Sequence, residues 1–375
     1  HPARSSHRYR DELSCRLALL SARSSGACFV SQLLSIKDLH VTFPTDDGDV
    51  QAVSGVSFDL NAGETVAIVG ESGSGKTVTS LSILGLHNEK RTHLSGEINI
   101  STDSGTRDVV ALSEKELRLL RGKDVAMIFQ DPMSSLHPYY SIGNQLSEAH
   151  RVHHKVSKSA GIARAVEMLD LVGIPEPQKR VREYPHQFSG GMRQRVMIAM
   201  ALINNPRILI ADEPTTALDV TVQAQILSLL NDLQKEFNMG ILLITHDLGV
   251  VAEVADRVNV MYAGKIVESA PVADVYYRPL APYTMGLLAS IPSVYGKGTG
   301  QLQAIPGQPP SLISLGSGCA FAPRCEFAKQ VPDGKCASVQ PELLEEATNH
   351  FARCHADRQL RATASTRFAP QGGAA

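Results

Sequence analysis

Long apolar runs are missing from this chain. The longest, residues 196–203, has eight members, far short of the roughly 18 that mark a helical membrane span. No such span is expected, and docking onto membrane proteins, which leaves no such mark, stays open. Charge of one sign is missing too. Lys+Arg number 36 against Asp+Glu 38, a net of −2, so nothing electrostatic points to nucleic acid as a partner. Cysteine is absent from the whole middle of the chain. Cys15 and Cys28 lie near the start, Cys319, Cys325, Cys336 and Cys354 in the last sixth, and none between.

Against these absences one stretch is rich in information. Residues 64–84 read ETVAIVGESGSGKTVTSLSIL, an apolar run, a glycine-rich turn, then a helical pattern opened by lysine and threonine. Gly70-x-x-x-x-Gly75-Lys76-Thr77 fits the P-loop pattern in its strand–loop–helix setting. Glycine at 70, 73 and 75 lets backbone N–H groups, with Ser72 and Ser74 among them, close around phosphate oxygens at a helix N-terminus. Lys76 is then placed for the β- and γ-phosphates, and the Thr77 hydroxyl for Mg²⁺. The plain alternative is a glycine-rich strand–helix turn with no ligand. The full pattern favours a nucleoside triphosphate, and at 375 residues the chain has room for one sizeable α/β core and a smaller addition. Such a core implies a reducing compartment, which makes metal ligation the first reading of the cysteines and disulfides the second.

In chain order, residues 34–43 and 50–60 read as strands across an acidic turn. Phe43, near the end of the first, is either a core residue or a platform for adenine. Residues 125–129 read as a strand ending at Gln130-Asp131-Pro132, and 141–204 are helical in pattern, an inserted subdomain over about 139–204. Its last helix enters through Ser189-Gly190-Gly191, where Ser189 is a natural N-cap and two glycines leave backbone donors uncovered. Residues 207–213 read as a buried strand ending in two carboxylates. With a P-loop present, Asp212 is placed for Mg²⁺ and Glu213 for polarising the attacking water; solvated acids at a strand end are the plain alternative. His246 follows the apolar strand 241–245 at the edge where parallel sheets bind ligands, a candidate γ-phosphate contact or a structural histidine.

The texture changes near residue 290. The expected divisions are a leader or extension over 1–31, disordered and read as an upstream extension in preference to a transit-type leader, an ATPase domain over 32–290, a cysteine domain over 291–356 and a disordered tail over 357–375. The late cysteines are spaced C-x5-C-x10-C-x17-C, neither a zinc-finger nor a bacterial ferredoxin spacing. Zinc, with His350 or His355 as stand-in ligands, an iron–sulfur cluster, and no ligation at all remain open from the residues alone.

Taken together, these landmarks resemble the ATP-binding subunits of ABC transporters over roughly residues 33–356. The resemblance implies an α/β P-loop NTPase core of ABC type with an antiparallel β subdomain, an inserted helical subdomain and a small cysteine-containing C-terminal domain. It makes Phe43 the A-loop aromatic that stacks on adenine and Gly70 to Thr77 the Walker A motif. Gln130 becomes the Q-loop glutamine, which senses Mg²⁺ and the γ-phosphate and faces the membrane subunits. Phe188-Ser189-Gly190-Gly191-Met192 matches the signature motif, departing at both ends from the common leucine and glutamine. Asp212 matches the Walker B aspartate, Glu213 the catalytic glutamate, Thr216-Ala217-Leu218-Asp219 the D-loop and His246 the switch histidine. In that family the signature motif binds the nucleotide of the opposite subunit, so Ser189 and Gly191 would serve a partner's ATP.

Within the family, Gln130-Asp131-Pro132-Met133-Ser134-Ser135-Leu136-His137-Pro138, Tyr184-Pro185-His186-Gln187 and Met261-Tyr262-Ala263-Gly264 resemble the dipeptide/oligopeptide importers, with His137 where asparagine is usual. Ala281-Pro282-Tyr283-Thr284 and Gly318-Cys319-Ala320-Phe321-Ala322-Pro323-Arg324-Cys325 extend the match. The resemblance implies a [4Fe-4S] cluster on Cys319, Cys325, Cys336 and Cys354, structural in role, with Zn²⁺ as the alternative. It implies ATP hydrolysis driving peptide import from the cytoplasmic face of the inner membrane, where the chain is peripheral. The partners would be a second, different ABC ATPase subunit, two transmembrane permease subunits and an external peptide-binding protein. Another cargo (nickel, glutathione, an opine, an antimicrobial peptide) is the alternative. A soluble ABC ATPase outside transport is opposed by the single cassette and lack of a long heptad run, and a purely regulatory nucleotide binder by intact Glu213 and His246.

Overall fold

The computed structural model describes residues 31–131, 135–216, 218–290 and 305–368. The expectations for the leader, for Pro132 to Ser134, for Ala217, for the boundary stretch 291–304 and for 369–375 lie outside the described residues.

Two sheets carry the fold. A four-stranded antiparallel sheet has the order β2-β1-β4-β5, built from β1 (Gln32–Thr45), β2 (Gly48–Asn61), β4 (His93–Thr102) and β5 (Gly105–Asp108). An eight-stranded sheet has the order β11-β12-β10-β9-β3-β8-β7-β6. Its centre is parallel: β3 (Thr65–Val69) pairs with β8 (Gly240–Thr245) and β9 (Arg257–Tyr262), β7 (Ile208–Asp212) with β8, and β6 (Val125–Ile128) with β7. Every residue of β3, β6, β7 and β8 is buried, as parallel strands covered on both faces must be. Their continuous Val/Ile/Leu runs are the sequence trace of that double burial. β10 (Lys265–Pro271) then turns back antiparallel on β9.

Helices Ile142–Arg151, Lys158–Leu171 and Gly190–Leu202 form the inserted helical part. Each starts at a serine, Ser141, Ser157 or Ser189, whose side chain accepts from the backbone N–H three residues on. Leu146, Met168, Leu169, Met197 and Ile198 bury its apolar face. Among the described residues no helix is long and apolar enough to cross a membrane.

The C-terminal segment joins the core sheet. β12 (His350–Ala352) pairs with β10 through Glu268↔Ala352 and Ser269↔Phe351, and β11 (Leu344–Ala347) pairs with β12. The fully buried Glu268 pins the join: it accepts from the backbone N–H of Leu280 at 2.7 Å and Ala281 at 2.8 Å, and His350 Nε2 lies 2.7 Å away. The disordered tail expected from residue 357 is corrected in part. Residues Arg358–Ser365 form a helix capped by Asp357, and Thr366–Phe368 add a 3-10 turn. Arg361, 2% exposed, pairs with Glu346 at 2.9 Å, and Phe368 is buried. An alanine- and arginine-rich composition hides these anchors because their partners lie elsewhere in the chain.

Candidate active site

The end of β3 delivers the phosphate loop. Gly70 sits at φ 155°, where an added Cβ would stand 2.1 Å from the Met261 carbonyl oxygen. Gly75 sits at φ 105°, with the same atom 2.4 Å from the Ala52 carbonyl oxygen. The loop therefore threads between the backbones of β9 and β2, and only glycine fits at those two points. Lys76 folds back over it, donating to the carbonyls of Gly70 at 2.8 Å and Glu71 at 2.9 Å. Burial lowers the Lys76 pKa, while the carboxylates of Glu213, Asp212 and Glu71 pull it the other way. The buried Ser74 hydroxyl has no hydrogen-bond partner among the described residues, whereas Ser72, Gly73 and Thr77 are exposed.

Asp212 ends β7, 5% exposed. Burial raises its pKa, and a hydrogen bond from the Thr77 hydroxyl opposes the rise. A carboxylate and a hydroxyl held together at the loop form a hard oxygen donor set that fits Mg²⁺.

Glu213 follows at φ 48°, a left-handed conformation uncommon outside glycine. Such a residue carries roughly 1–3 kcal/mol of strain and persists only where its surroundings over-determine it. Here they do. Its backbone N–H donates to the Ile244 carbonyl at 2.8 Å. Gln130 Nε2 donates to Oε2 at 2.7 Å, Thr216 Oγ1 donates to the same oxygen at 2.9 Å, and His246 Nδ1 lies 3.0 Å from Oε1. The adjacent strands β6, β7 and β8 bring Gln130, Glu213 and His246 together at their C-terminal ends. Burial alone would raise the Glu213 carboxyl, but His246, Thr216 and Gln130 outweigh it and hold the pKa below its ordinary value. The side chain is thus aimed by three partners and held as a carboxylate. Thr216 had no individual role in the sequence reading; its clue was the three-residue spacing from Glu213 within one turn.

The remaining site residues lie apart from this cluster in their contacts. Phe43 is half-buried, edge-on to His87 with ring centroids 5.7 Å apart. Ser189 caps its helix by accepting from the Met192 N–H at 3.3 Å. An added Cβ at Gly190 would meet nothing within 4 Å, and one at Gly191 would meet the Val222 side chain. Asp219 caps the helix Val220–Phe237 through the Val222 N–H at 2.9 Å.

Cys319, Cys325, Cys336 and Cys354 all line one small cavity of about 30 Å³. Burial pushes all four thiols up, Cys325 to about 12. Among the described residues no three His, Cys, Asp or Glu side chains are grouped tightly enough to hold one metal ion. His350 is committed to Glu268, and His355 Nε2 lies 2.9 Å from the Val339 carbonyl oxygen. Neither behaves as a stand-in ligand.

Comparison with known proteins shows the family. The family model for ABC transporters matches residues 53–216, and one for the oligopeptide/dipeptide transporter C-terminal region matches residues 267–331. The oligopeptide transport ATP-binding protein OppD of Bacillus subtilis (strain 168) is 53% identical over 325 residues, 86% of this chain and 88% of its own length. OppD of Escherichia coli (strain K12) is 52% identical over 84% of this chain and 90% of its own. Among solved structures, cbiO1 from Clostridium perfringens, part of an ABC transporter complex, has a TM-score of 0.55 at 28% identity, covering 66% of this chain and 92% of that one. A dimeric ATP-binding cassette bound to ADP and Pi has a TM-score of 0.56 at 28% identity, covering 64% of this chain and 99% of that one. Fold and relatives agree: the chain belongs to the ABC transporter family and is one of its ATP-hydrolysing cassettes.

Proposed function

We propose that this chain is the motor subunit of an importer of dipeptides and oligopeptides. The convergence of Gln130, Thr216 and His246 on Glu213, beside the phosphate loop, carries the reading. That constellation serves hydrolysis, and the names of the relatives supply the cargo.

The phosphate loop, Gly70 and Ser72 to Gly75, holds the triphosphate of ATP with its backbone donors, and Lys76 neutralises the β- and γ-phosphates. Thr77, Asp212 and Gln130 would hold Mg²⁺, which would offset phosphate charge and polarise the oxygens. Glu213 takes the proton of the attacking water, and its three partners aim it. His246 also meets the γ-phosphate, and Phe43 stacks on adenine. Ser189, Gly190, Gly191 and Asp219 serve the nucleotide of a second, different ATPase subunit. The open space around Gly190 supports this, since an added Cβ there would meet nothing within 4 Å among the described residues.

Next to Gln130 lies a groove of about 560 Å³ whose lining includes Leu86, Phe129, Val152 and Met200, the first three exposed. Its occupant in this reading is a helix of one of two transmembrane permease subunits, which also receive peptide from an external binding protein. The chain then sits peripherally on the cytoplasmic face of the inner membrane. Residues 32–290 act as the ATPase domain, about 139–204 as its helical insertion and 291–356 as the cysteine segment. In this reading the four thiols, which line one cavity, hold a [4Fe-4S] cluster. Brown protein with stoichiometric iron and sulfide checks that point.

The test of function is uptake. Native complex in vesicles should import labelled oligopeptide in proportion to ATP consumed. ATP consumption unaffected by any peptide, with no peptide entry, would overturn the cargo assignment.

A further inference from the structure

Glu71, the residue after Gly70, has no part in the catalytic cluster, yet it is the most heavily held position of the phosphate loop. Its backbone carbonyl accepts from Lys76 Nζ at 2.9 Å and from the Ser74 N–H at 3.2 Å. Its backbone N–H donates to the Tyr283 hydroxyl at 2.8 Å. Its carboxylate takes both arms of the Arg324 guanidinium, Nη1 at 2.6 Å and Nη2 at 2.9 Å. Arg324 is 253 residues away in sequence and stands directly before Cys325.

Arg324 is itself fixed. Its side chain is 5% exposed, its Nε donates to the Pro306 carbonyl at 2.9 Å, and its Nη1 to the Tyr262 hydroxyl at 3.3 Å. The guanidinium carbon lies 5.9 Å from the ring centroids of both Tyr262 and Phe321. Those two rings and Tyr283 pack together with centroids 4.5 to 5.4 Å apart. The same trio lines the cavity that holds the four thiols. One aromatic wall therefore has the cysteines on one side, while its polar atoms reach Arg324 and Glu71. A planar fork from a buried guanidinium onto a half-buried carboxylate fixes direction as well as distance, so the wall sets where Glu71, and with it the Lys76 anchor, can sit.

We propose that Arg324 and Tyr283 are positioning residues for the phosphate loop, so that the cysteine-bearing segment sets how tightly this chain binds MgATP. The inference rests on the assignment of Gly70 to Thr77 to the triphosphate. By linkage, anything that shifts the aromatic wall from the cavity side changes nucleotide affinity, and MgATP acts back on the cavity by the same factor.

The test is equilibrium binding of MgATP to full-length wild type and to Arg324→Ala, Glu71→Gln, their double variant, Tyr283→Phe and Lys76→Ala, with thermal unfolding recorded for each. Arg324→Ala and Glu71→Gln should each weaken MgATP about tenfold. The double variant should be no worse than either, because both remove the same contact. Turnover should show the loss mainly in KM and little in kcat. Tyr283→Phe, which keeps the ring and removes only the acceptor for the Glu71 N–H, should weaken binding several-fold and decides the question if Arg324→Ala does not fold. Wild-type affinity in folded Arg324→Ala or Tyr283→Phe, or strictly additive losses in the double variant, would overturn the proposal. Lys76→Ala separates the two levels: if it binds MgATP normally, the nucleotide assignment itself has failed.

Discussion

His246 Nδ1 lies 3.0 Å from Glu213 Oε1, joining the ends of β8 and β7 across a single strand-to-strand step. Of the groups that lower the Glu213 pKa it is the largest, burial working against it. The sign of the pH effect follows. A carboxyl with a depressed pKa is ionised above that value and loses its proton-accepting form only as pH falls through it. His246→Ala should move the acid limb of the kcat/KM profile to higher pH and cut turnover about 100-fold or more. An unmoved acid limb would mean that His246 does not tune Glu213.

Two glycines separate folding from function. Gly70→Ala puts a Cβ 2.1 Å from the Met261 carbonyl oxygen and should destabilise the chain by about 3 kcal/mol or more, read as a drop in denaturant midpoint. Gly190→Ala meets nothing within 4 Å and should leave stability within about 0.5 kcal/mol. Its loss should appear only in the assembled transporter, as lower turnover with normal ATP binding to the isolated chain.

Glu268 tests the join between the C-terminal segment and the core. Replacing it with alanine orphans the N–H groups of Leu280 and Ala281 and strips His350 of its buried partner. A cost of about 3 kcal/mol or more is expected, with an unchanged slope of unfolding free energy against denaturant. A cost below about 0.5 kcal/mol, the size of an ordinary surface change, would contradict the pinning role.

The groove beside Gln130 has its own reporter. Val152 is 71% exposed on its rim and touches none of the catalytic residues by hydrogen bond. Val152→Glu should leave the fold and basal ATP hydrolysis of the isolated chain intact, while recovery of permease subunits with it and peptide uptake both fall. Normal recovery would place the permease elsewhere.

The residues that could be read in the sequence are those whose neighbours are set by the local backbone. Gly70, Glu213 and His246 each follow a short apolar strand, Asp212 ends one and Lys76 opens the helix after one, so strand order brings them to one edge. The strands over 34–43 and 50–60, the helical pattern of 141–204 and the capping Ser189 are legible for the same reason. What escaped was long-range. The Glu71–Arg324 pair joins positions 253 apart, Tyr283 reaches back 212 residues to the loop, and Glu268 meets His350 across 82. A lone arginine between two cysteines gives no sign of its partner. The same holds for β11 and β12, which are too short to show a period and become strands only because β10 offers an edge.

Glu213→Gln is the most direct test of the catalytic account. The amide keeps the size of the side chain and removes its power to accept a proton. Single-turnover hydrolysis by the assembled transporter, measured beside MgATP binding, should fall about 1,000-fold, with nucleotide affinity retained and a closed cassette dimer trapped on ATP. Hydrolysis at the wild-type rate would contradict the assignment of Glu213 as the base.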